Sequence, residues 1–429
     1  MARLRRCLGS AALALWAAGA VGCERSQPEI PPPTGDRVVL IGIDAATWDV
    51  IRPLMNAGDM PNLRGLVERG WSGVLRSMEP MVSPALWTTI ASGHVPAEHG
   101  ISGFLAPTAD GTNAPVTSNL RRVETLWTIA TRSGRTVNVI GWFVTWPAEP
   151  INGIMVSDRV GPQLESDPLL GGADSFTARR PGVTPASFVP TAMSLIVRPD
   201  DFLSPTERMV YDKLRIYPVD ATRTALAEYV LKENPADLTM IYLWGTDPIQ
   251  HWFWKYHDPA HWIGPPIPPE EKKRIGGDPV ADYYRDTDEL IGRILALLRE
   301  SDTVLVVSDH GAGPVTQYDP NKSAISGSHR IEGIIIAAGP PIRHGTVGEP
   351  PGLLDVTPTV LYLLGLPAGR DMPGRVITEM FTSEWMRAHP QSRIATWEQQ
   401  GARAAEQWPI VSKGDEHIRE KLRSLGYIQ

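Results

Sequence analysis

The segment 303–314, Thr-Val-Leu-Val-Val-Ser-Asp-His-Gly-Ala-Gly-Pro, constrains the fold more than any other. Its apolar, β-branched start predicts a buried strand, which ends at two potential metal ligands, Asp309 and His310. Adjacent strand residues point to opposite faces, so both can reach one ion only after the chain leaves the strand, as Gly311 and Gly313 indicate. Because open α/β sheets bind ligands at the carboxyl ends of strands, the segment fits a catalytic metal site. The alternative is a turn capped by Asp309, with His310 on the surface.

Apolar runs typical of strands alternate along the chain with segments of helical periodicity. The alternation predicts an α/β fold with a mostly parallel central sheet. With 42% hydrophobic residues among 429, the chain has enough apolar surface for a large core. Two irregular stretches, about 161–217 and 251–275, predict inserted cap segments over the carboxyl edge of the sheet. The further predicted strands are 37–43, 136–140, 238–244 and 334–338, and the predicted helices begin near 61, 123, 286 and 355.

Six potential metal ligands lie close to the predicted strands. One acidic residue after a strand is commonplace, but three such strand ends, two of them with a histidine close by, indicate a shared site. His251 follows Asp247 by four residues, which places both side chains on one face of a helix. Three carboxylates and three imidazoles suit zinc better than manganese or iron and are too rich in nitrogen for calcium. The six residues are Asp44, Asp247, His251, Asp309, His310 and His329.

Ser83 is the candidate nucleophile. The stretch 83–93 predicts a helix with Ser83 as its N-cap and Pro84 at its first position. A hydroxyl there would lie beside free backbone N–H groups and the positive end of the helix dipole, where a phosphate oxygen binds well. Taken alone, Ser83 could simply cap the helix. Beside two metal ions it could be held as an alkoxide near neutral pH.

The amino terminus predicts export. Three arginines within the first six residues precede an apolar segment, 8–20, that is too short for an ordinary membrane span, so residues 1–22 are expected to be a signal peptide. The residues up to Cys23 resemble a bacterial lipobox, which predicts lipidation of Cys23 and a proline-rich tether over 23–36. A plain cleaved signal with an incidental cysteine is the alternative. The lipoprotein interpretation places the protein in the bacterial cell envelope, anchored to a membrane on the periplasmic side or the outer surface.

A set of short motifs occurs in order from about residue 37 to 375. The set comprises Gly42-Ile-Asp44-Ala, Met60-Pro-Asn-Leu63, Ser83 through Gly93, Pro96-Ala-Glu-His-Gly-Ile101, Asp247-Pro-Ile-Gln-His251, Ser308-Asp-His-Gly311, Gly327-Ser-His329 and Asp355-Val-Thr-Pro358. It resembles the type I phosphodiesterase/nucleotide pyrophosphatase branch of the alkaline phosphatase superfamily. The resemblance implies an alkaline-phosphatase-like sandwich of helices on the central sheet over 37–375. The remainder, 376–429, is expected to be a helical tail packed on that domain.

The resemblance also implies a zinc-dependent phosphoester hydrolase with two metal sites. Asp44, Asp309 and His310 would bind the ion that also holds Ser83, and the other three ligands would bind the second ion. Ser83 would attack phosphorus and form a covalent enzyme, which water would then hydrolyse. Two in-line steps of this kind retain the configuration at phosphorus.

Departures from the family pattern bear on the substrate. The nucleotide pyrophosphatases usually have threonine where this chain has Ser83, and an asparagine that holds a phosphoryl oxygen where this chain has Phe104. The expected partner is a small-molecule phosphoester or a lipid- or glycan-linked one. The net charge of −7 gives no basic surface for nucleic acid, so no such role is expected. The candidate substrate-binding residues are Trp87, Phe104, Trp142, Trp252 and Trp254.

Two alternatives to a phosphodiesterase stay open on the sequence. The first is a phosphomonoesterase, phosphonate hydrolase or phospho-group transferase that uses the same site, since the family's asparagine is missing. The second is an inactive surface lipoprotein that uses the fold to bind a ligand. The complete ligand set argues against the second alternative, because an enzyme that has lost its activity commonly loses a ligand too.

Overall fold

A computed structural model describes residues 36–160, 182–198, 216–322, 324–398, 407–412, 414–424 and 426–428. The predicted signal peptide, Cys23 and most of the predicted insertion at 161–217 lie outside the described residues. The strands in chain order are β1 (Val38–Ile43), β2 (Trp71–Arg76), β3 (Leu105–Pro107), β4 (Asn113–Pro115), β5 (Val137–Ile140), β6 (Gly153–Val156), β7 (Val183–Thr184), β8 (Leu238–Leu243), β9 (Thr303–Val307), β10 (Gly311–Pro314), β11 (Gly327–Arg330), β12 (Glu332–Ala338), β13 (Gly345–Thr346), β14 (Ala368–Gly369) and β15 (Arg393–Ile394).

Nine of these strands form one central sheet in the order β13-β2-β12-β9-β1-β8-β5-β6-β7. The middle of the sheet is parallel: β1 pairs with β9 on one side and with β8 on the other, and β8 pairs with β5. Strand β12 runs antiparallel to both of its neighbours, and β7 is antiparallel to β6. The prediction of an α/β fold with a mostly parallel sheet is confirmed.

Both faces of the sheet are covered, which explains why its central strands are continuous apolar runs. Alternate residues of β1 enter two different cores: Val38 and Leu40 lie in one, and Val39 and Ile41 in the other. The α-helices of the described residues are Trp48–Ala57, Pro61–Arg69, Ser83–Ser92, Pro96–His99, Leu126–Arg132, Val189–Ser194, Ile216–Glu233, Thr246–His257, Pro269–Ile275, Pro279–Leu295, Val356–Leu363, Ser383–Ala388 and Asp415–Ser424.

The helix Thr246–His257 corrects one boundary of the predicted insertions. The pattern places an insertion over 251–275, but the first seven of these residues continue a helix whose inner face packs on the core. Ile249 and Trp254 lie in that core with Tyr283. Aromatic residues at helical spacing therefore reflect packing here, and the irregular segment begins only after the helix. No helix in the described part of the chain has the length and apolarity needed to cross a membrane.

Candidate active site

Strands β9, β1 and β8 bring three carboxylates together at one edge of the sheet. The three strands are adjacent and parallel, so their carboxyl ends coincide. Asp309, Asp44 and Asp247 follow these ends and are buried, with exposed fractions of 0%, 1% and 1%. The topology thus joins carboxylates that are up to 265 positions apart in the chain.

Asp44, Asp309 and His310 form a first group of potential metal ligands. The Nε2 atom of His310 lies 3.5 Å from Asp44 Oδ1 and 3.5 Å from Asp309 Oδ2. Ala45 follows β1 with a φ angle of 55°, which is uncommon for a residue with a side chain. The N–H of Ala45 donates to Asp309 Oδ1 at 3.3 Å, so this turn fixes the two carboxylates relative to each other.

Asp247, His251 and His329 form a second group. Asp247 and His251 lie one turn apart on the helix Thr246–His257, as their spacing predicts, and His329 lies on β11. The Nε2 atoms of the two histidines each lie 3.3 Å from Asp247 Oδ1 and 2.9 Å from each other. Ligand atoms about 2.1 Å from one tetrahedral zinc ion lie roughly 3.4 Å from one another. The spacing of both groups fits shared coordination of this kind.

The three histidines are oriented alike by backbone carbonyls. Nδ1 lies 3.0 Å from the Gly327 carbonyl oxygen in His251, 3.0 Å from that of Gly311 in His310 and 3.1 Å from that of Met81 in His329. A carbonyl oxygen only accepts hydrogen bonds, so each Nδ1 carries the proton and donates it. Each Nε2 is thereby left available to a cation, which is the usual arrangement of a metal-binding histidine.

The charges of the first group are poorly balanced without a cation. Burial, together with the charge of Asp247, raises the pKa of Asp44 to about 7. Burial and the adjacent Asp44 also raise the pKa of Asp309 well above its ordinary range, while burial and the neighbouring His329 lower the pKa of His310 to about 3. These shifts all follow from placing like groups together away from water.

The second group is balanced by a proton when no ion is present. Burial opposes ionisation of both partners, but the charge of Asp247 still raises the pKa of His251, and the two histidines lower the pKa of Asp247. Without an ion, a proton on Nε2 of His251 can be donated to Nε2 of His329, which lies 2.9 Å away. A metal ion would take the place of this proton, since metal binding to histidine releases protons.

The two groups share one site, and its orphaned atoms fit a metal. The rings of His310 and His329 stack with centroids 3.8 Å apart. His310 lies close enough to Asp44 and Asp309 to share an ion with them, and it is equally close to Asp247 and His329. A buried polar atom without a partner costs about 1–3 kcal/mol. Four such atoms lie here without a hydrogen-bond partner among the described residues: Asp44 Oδ1, Asp247 Oδ2, Asp309 Oδ2 and His310 Nε2. Cations bound by the two groups would satisfy these atoms.

Ser83 is not the N-cap that the sequence predicts. Val82 is the N-cap, and Ser83 is the first residue of the helix Ser83–Ser92. Pro84 has no N–H, and the N–H of Ala85 donates to the Val82 carbonyl at 2.9 Å, so the helix start offers fewer free donors than expected. Ser83 is 2% exposed. The carbonyl of Met81, two residues before it, is the one that orients His329.

The sequence profile of the type I phosphodiesterase/nucleotide pyrophosphatase family matches residues 38–344, which include Ser83 and all six potential ligands. The chain belongs to this family. Membership supports a phosphoester hydrolase. No curated protein sequence matches the chain significantly.

The solved structures similar to this phosphodiesterase-family protein include a phosphonoacetate hydrolase and two ectonucleotide pyrophosphatase/phosphodiesterases. Phosphonoacetate hydrolase from Sinorhizobium meliloti 1021 is 17% identical to this chain, with a TM-score of 0.45. The match covers 69% of this chain but only 60% of the length of that protein. Human ectonucleotide pyrophosphatase/phosphodiesterase 5 is 13% identical with a TM-score of 0.48, covering 81% of this chain and 100% of that one. The murine protein of the same name is 12% identical with a TM-score of 0.49, and the coverage is again 81% and 100%.

Three of the five aromatic residues expected to bind substrate in this family member are buried in its cores instead. Trp87 and Trp142 are fully buried and pack edge to face, with ring centroids 5.1 Å apart, and Trp254 is 3% exposed. Gly42 explains the position of Trp87, because a Cβ atom at residue 42 would lie 2.5 Å from the Trp87 ring. Trp87 and Trp142 fill one of the two cores, and Trp254 fills the other. Of the five candidates, Phe104 and Trp252 are half-buried.

Two residues that contact the potential ligands were not identified from the sequence. The hydroxyl of Tyr242, on β8, donates to Asp44 Oδ2 and orients that carboxylate. Tyr427, near the end of the chain, has its ring 5.4 Å from that of His251. Tyr242 looks like any apolar residue of a buried strand. Tyr427 follows the amphipathic helix Asp415–Ser424, whose pattern predicts only packing on the domain.

We expect Gly327→Ala to disable the second group without removing any ligand. A Cβ atom at residue 327 would lie 2.3 Å from the Gln250 carbonyl oxygen, so β11 must move away from the helix that carries His251. A displacement of about 1 Å in such a site lowers turnover roughly 10²-fold. Gly348→Ala is the matched control, because the space around residue 348 is open. Metal content and turnover of both variants test this; wild-type values for Gly327→Ala would contradict it.

Proposed function

We propose that this protein is a zinc-dependent phosphoester hydrolase that uses two metal ions and Ser83 as nucleophile. The observation that carries the proposal is the convergence of three carboxylates and three histidines with four orphaned buried atoms. Family membership supports the reaction class. The nitrogen-rich ligand set favours zinc, and manganese or iron are the other candidates.

Each group of ligands would hold one ion. Asp44, Asp309 and His310, together with Ser83, would hold the first, and the three ligands of the second group would hold the second. Bound zinc ions would supply stabilisation of negative charge on the phosphoryl oxygens and lower the pKa of the serine hydroxyl. The carbonyls behind the histidines keep their Nε2 atoms aimed at the ions, and Tyr242 holds Asp44 in place.

Ser83 would carry out the covalent chemistry. Its Oγ releases a proton to solvent and forms a bond to phosphorus. The bond from phosphorus to the leaving-group oxygen breaks on the opposite side, and that oxygen keeps the electron pair and takes up a proton from solvent. Water then attacks phosphorus, breaks the bond to Oγ and returns the proton to Ser83. Burial of Ser83 limits competing attack by bulk water on the covalent enzyme. Two displacements retain the configuration at phosphorus.

Metal analysis and a matched pair of substrates test the proposal. Purified protein is expected to bind about two zinc ions and to release p-nitrophenol from p-nitrophenyl esters of phosphate. Comparing p-nitrophenyl phosphate with thymidine 5′-(p-nitrophenyl phosphate) separates monoesterase from diesterase activity on one leaving group. Turnover that survives complete removal of metal would contradict the proposed mechanism. A zinc-loaded protein that is inactive on a broad phosphoester panel would favour the inactive lipoprotein.

The cell location forms a separate prediction. We expect Cys23→Ser to move the protein from the membrane fraction to the soluble fraction, because a lipidated cysteine would be its anchor to the membrane. Cys7→Ser is the matched control, since Cys7 lies in the predicted signal peptide and should leave the distribution unchanged. Immunoblots of fractionated cells measure both variants. A Cys23→Ser protein that stays with the membranes would refute lipidation at this residue.

A further inference from the structure

The end of the chain folds back over the candidate active site. After the helix Asp415–Ser424 the backbone turns at Gly426, whose φ angle is 76°, and the N–H of Tyr427 donates to the Leu422 carbonyl at 3.0 Å. The Tyr427 ring stacks on Phe104, with centroids 4.6 Å apart and an angle of 12° between the planes. It also meets His251 edge to face at 5.4 Å and lies 6.4 Å from His329.

Contacts along the tail fix the position of this ring. Arg159 pairs with Asp415 at 3.1 Å, and the two side chains are only 8% and 3% exposed. Arg419 donates to the Asn113 carbonyl at 2.6 Å. These bonds tie the last helix to β4 and to the segment that follows β6. Tyr427 is therefore held against two potential metal ligands by the fold itself.

The hydroxyl of Tyr427 has no hydrogen-bond partner among the described residues that would explain its position. Its oxygen is buried and makes no hydrogen bond within the described ranges of the chain. Buried tyrosine hydroxyls usually find a partner, since an unmade bond costs about 1–3 kcal/mol. The nearby histidines cannot serve as acceptors, because each Nδ1 donates to a carbonyl and each Nε2 is a potential metal ligand. A molecule bound at the site would supply the acceptor that the described residues lack.

An anion held by the neighbouring cation site supplies such an acceptor. On this basis, and resting on the proposed function, we infer that Tyr427 is a substrate-positioning residue whose hydroxyl donates a hydrogen bond to an oxygen of the phosphoryl group. Phe104 has no polar atom to offer; it supports the Tyr427 ring instead. The family profile ends at residue 344, so this contact comes from a part of the chain outside it. The C-terminal tail then completes the active site in addition to packing on the domain.

Tyr427→Phe in the full-length, zinc-loaded protein tests the inference, because it removes only the hydroxyl. We expect the dissociation constant of inorganic phosphate, measured by calorimetry, and the KM for p-nitrophenyl esters to rise about tenfold. Zinc content and Tm should stay at wild-type values, since the hydroxyl makes no bond within the described protein. Tyr362→Phe is the control: its hydroxyl donates to the His389 carbonyl outside the site, so the variant should bind phosphate normally.

Other outcomes would overturn the inference. Unchanged phosphate affinity and KM in Tyr427→Phe would show that the hydroxyl does not contact the ligand. Higher activity in Tyr427→Ala would show that the ring blocks the site. Loss of zinc or a lower Tm in Tyr427→Phe would show a structural role. The proposed function fails separately: a wild-type protein that hydrolyses no phosphoester refutes it, even where Tyr427→Phe weakens the binding of inorganic phosphate.

Discussion

Ser83→Ala is expected to lower turnover by roughly 10⁴-fold or more, which is the scale seen when a hydrolase loses its nucleophile. The reason is that each of the other hydroxyls of the helix Ser83–Ser92 already has a partner. Thr88 and Ser92 donate to backbone carbonyls of their own helix at 2.7 Å, and Thr89 Oγ1 lies 3.1 Å from His99 Nε2. The six potential metal ligands stay in place, so the zinc content should be unchanged. Steady-state kinetics and elemental analysis of the same sample give both numbers.

Ser92→Ala is the matched control for this variant. Ser92 is buried like Ser83 and lies at the other end of the same helix, but its Oγ is engaged with the Thr88 carbonyl. It should lose a little stability and keep its turnover. A rapid burst of leaving group on mixing enzyme with substrate is expected from wild type and from Ser92→Ala alone. A burst of equal size from Ser83→Ala would remove Ser83 from its proposed role.

Asp309→Asn is expected to release one zinc ion and to lower turnover by roughly 10³-fold. Asparagine matches aspartate in size and keeps an oxygen for the N–H of Ala45, which Asp309 Oδ1 accepts at 3.3 Å. It removes the negative charge and replaces the orphaned Oδ2 with an amide oxygen or NH₂ group, neither of which neutralises a cation. The effect thus tests coordination rather than packing. Elemental analysis and kinetics after dialysis against low zinc measure it.

Asp288→Asn is the matched control, because Asp288 is equally buried but lies outside the site. It accepts hydrogen bonds from the backbone N–H groups of Asn62 and Leu63 at 3.0 and 2.8 Å. The control should lose stability, since these bonds hold the start of the helix Pro61–Arg69, and it should keep both metal ions. If Asp309→Asn binds as much zinc as the control and turns over normally, Asp309 is not a ligand.

Much of the fold could be predicted from the sequence because its signals are local. The apolar run at 303–307 is a strand because buried strands of such a sheet are apolar, and it ends at Val307, just before the polar residues Ser308 and Asp309. The four-residue spacing of Asp247 and His251 predicted that both lie on one face of a helix, and both lie on the helix Thr246–His257. The start of the helix at Pro61 likewise follows from proline's fixed φ angle.

The wrong predictions share a cause: the type of a residue does not reveal where its side chain lies in the fold. Trp87 and Trp142 were expected at the substrate, and both fill the core. Ser83 was expected as an N-cap, but the cap is Val82, because the helix boundary depends on how the chain enters from Met81. Large aromatic residues stabilise cores and also line binding sites. Only their neighbours in space decide which.

The sequence alone determined the α/β alternation, and it pointed to the candidate ligands near the strand ends, since each of these signals depends on residues within a few positions of one another. The tertiary structure decided what lies beside what. It brought Asp44 next to His310, set the protonated nitrogen of His329 through the distant carbonyl of Met81, and laid Tyr427 across Phe104 and His251. Such contacts join residues hundreds of positions apart, and they form only because burying both faces of the sheet fixes every strand end and the tail in one place.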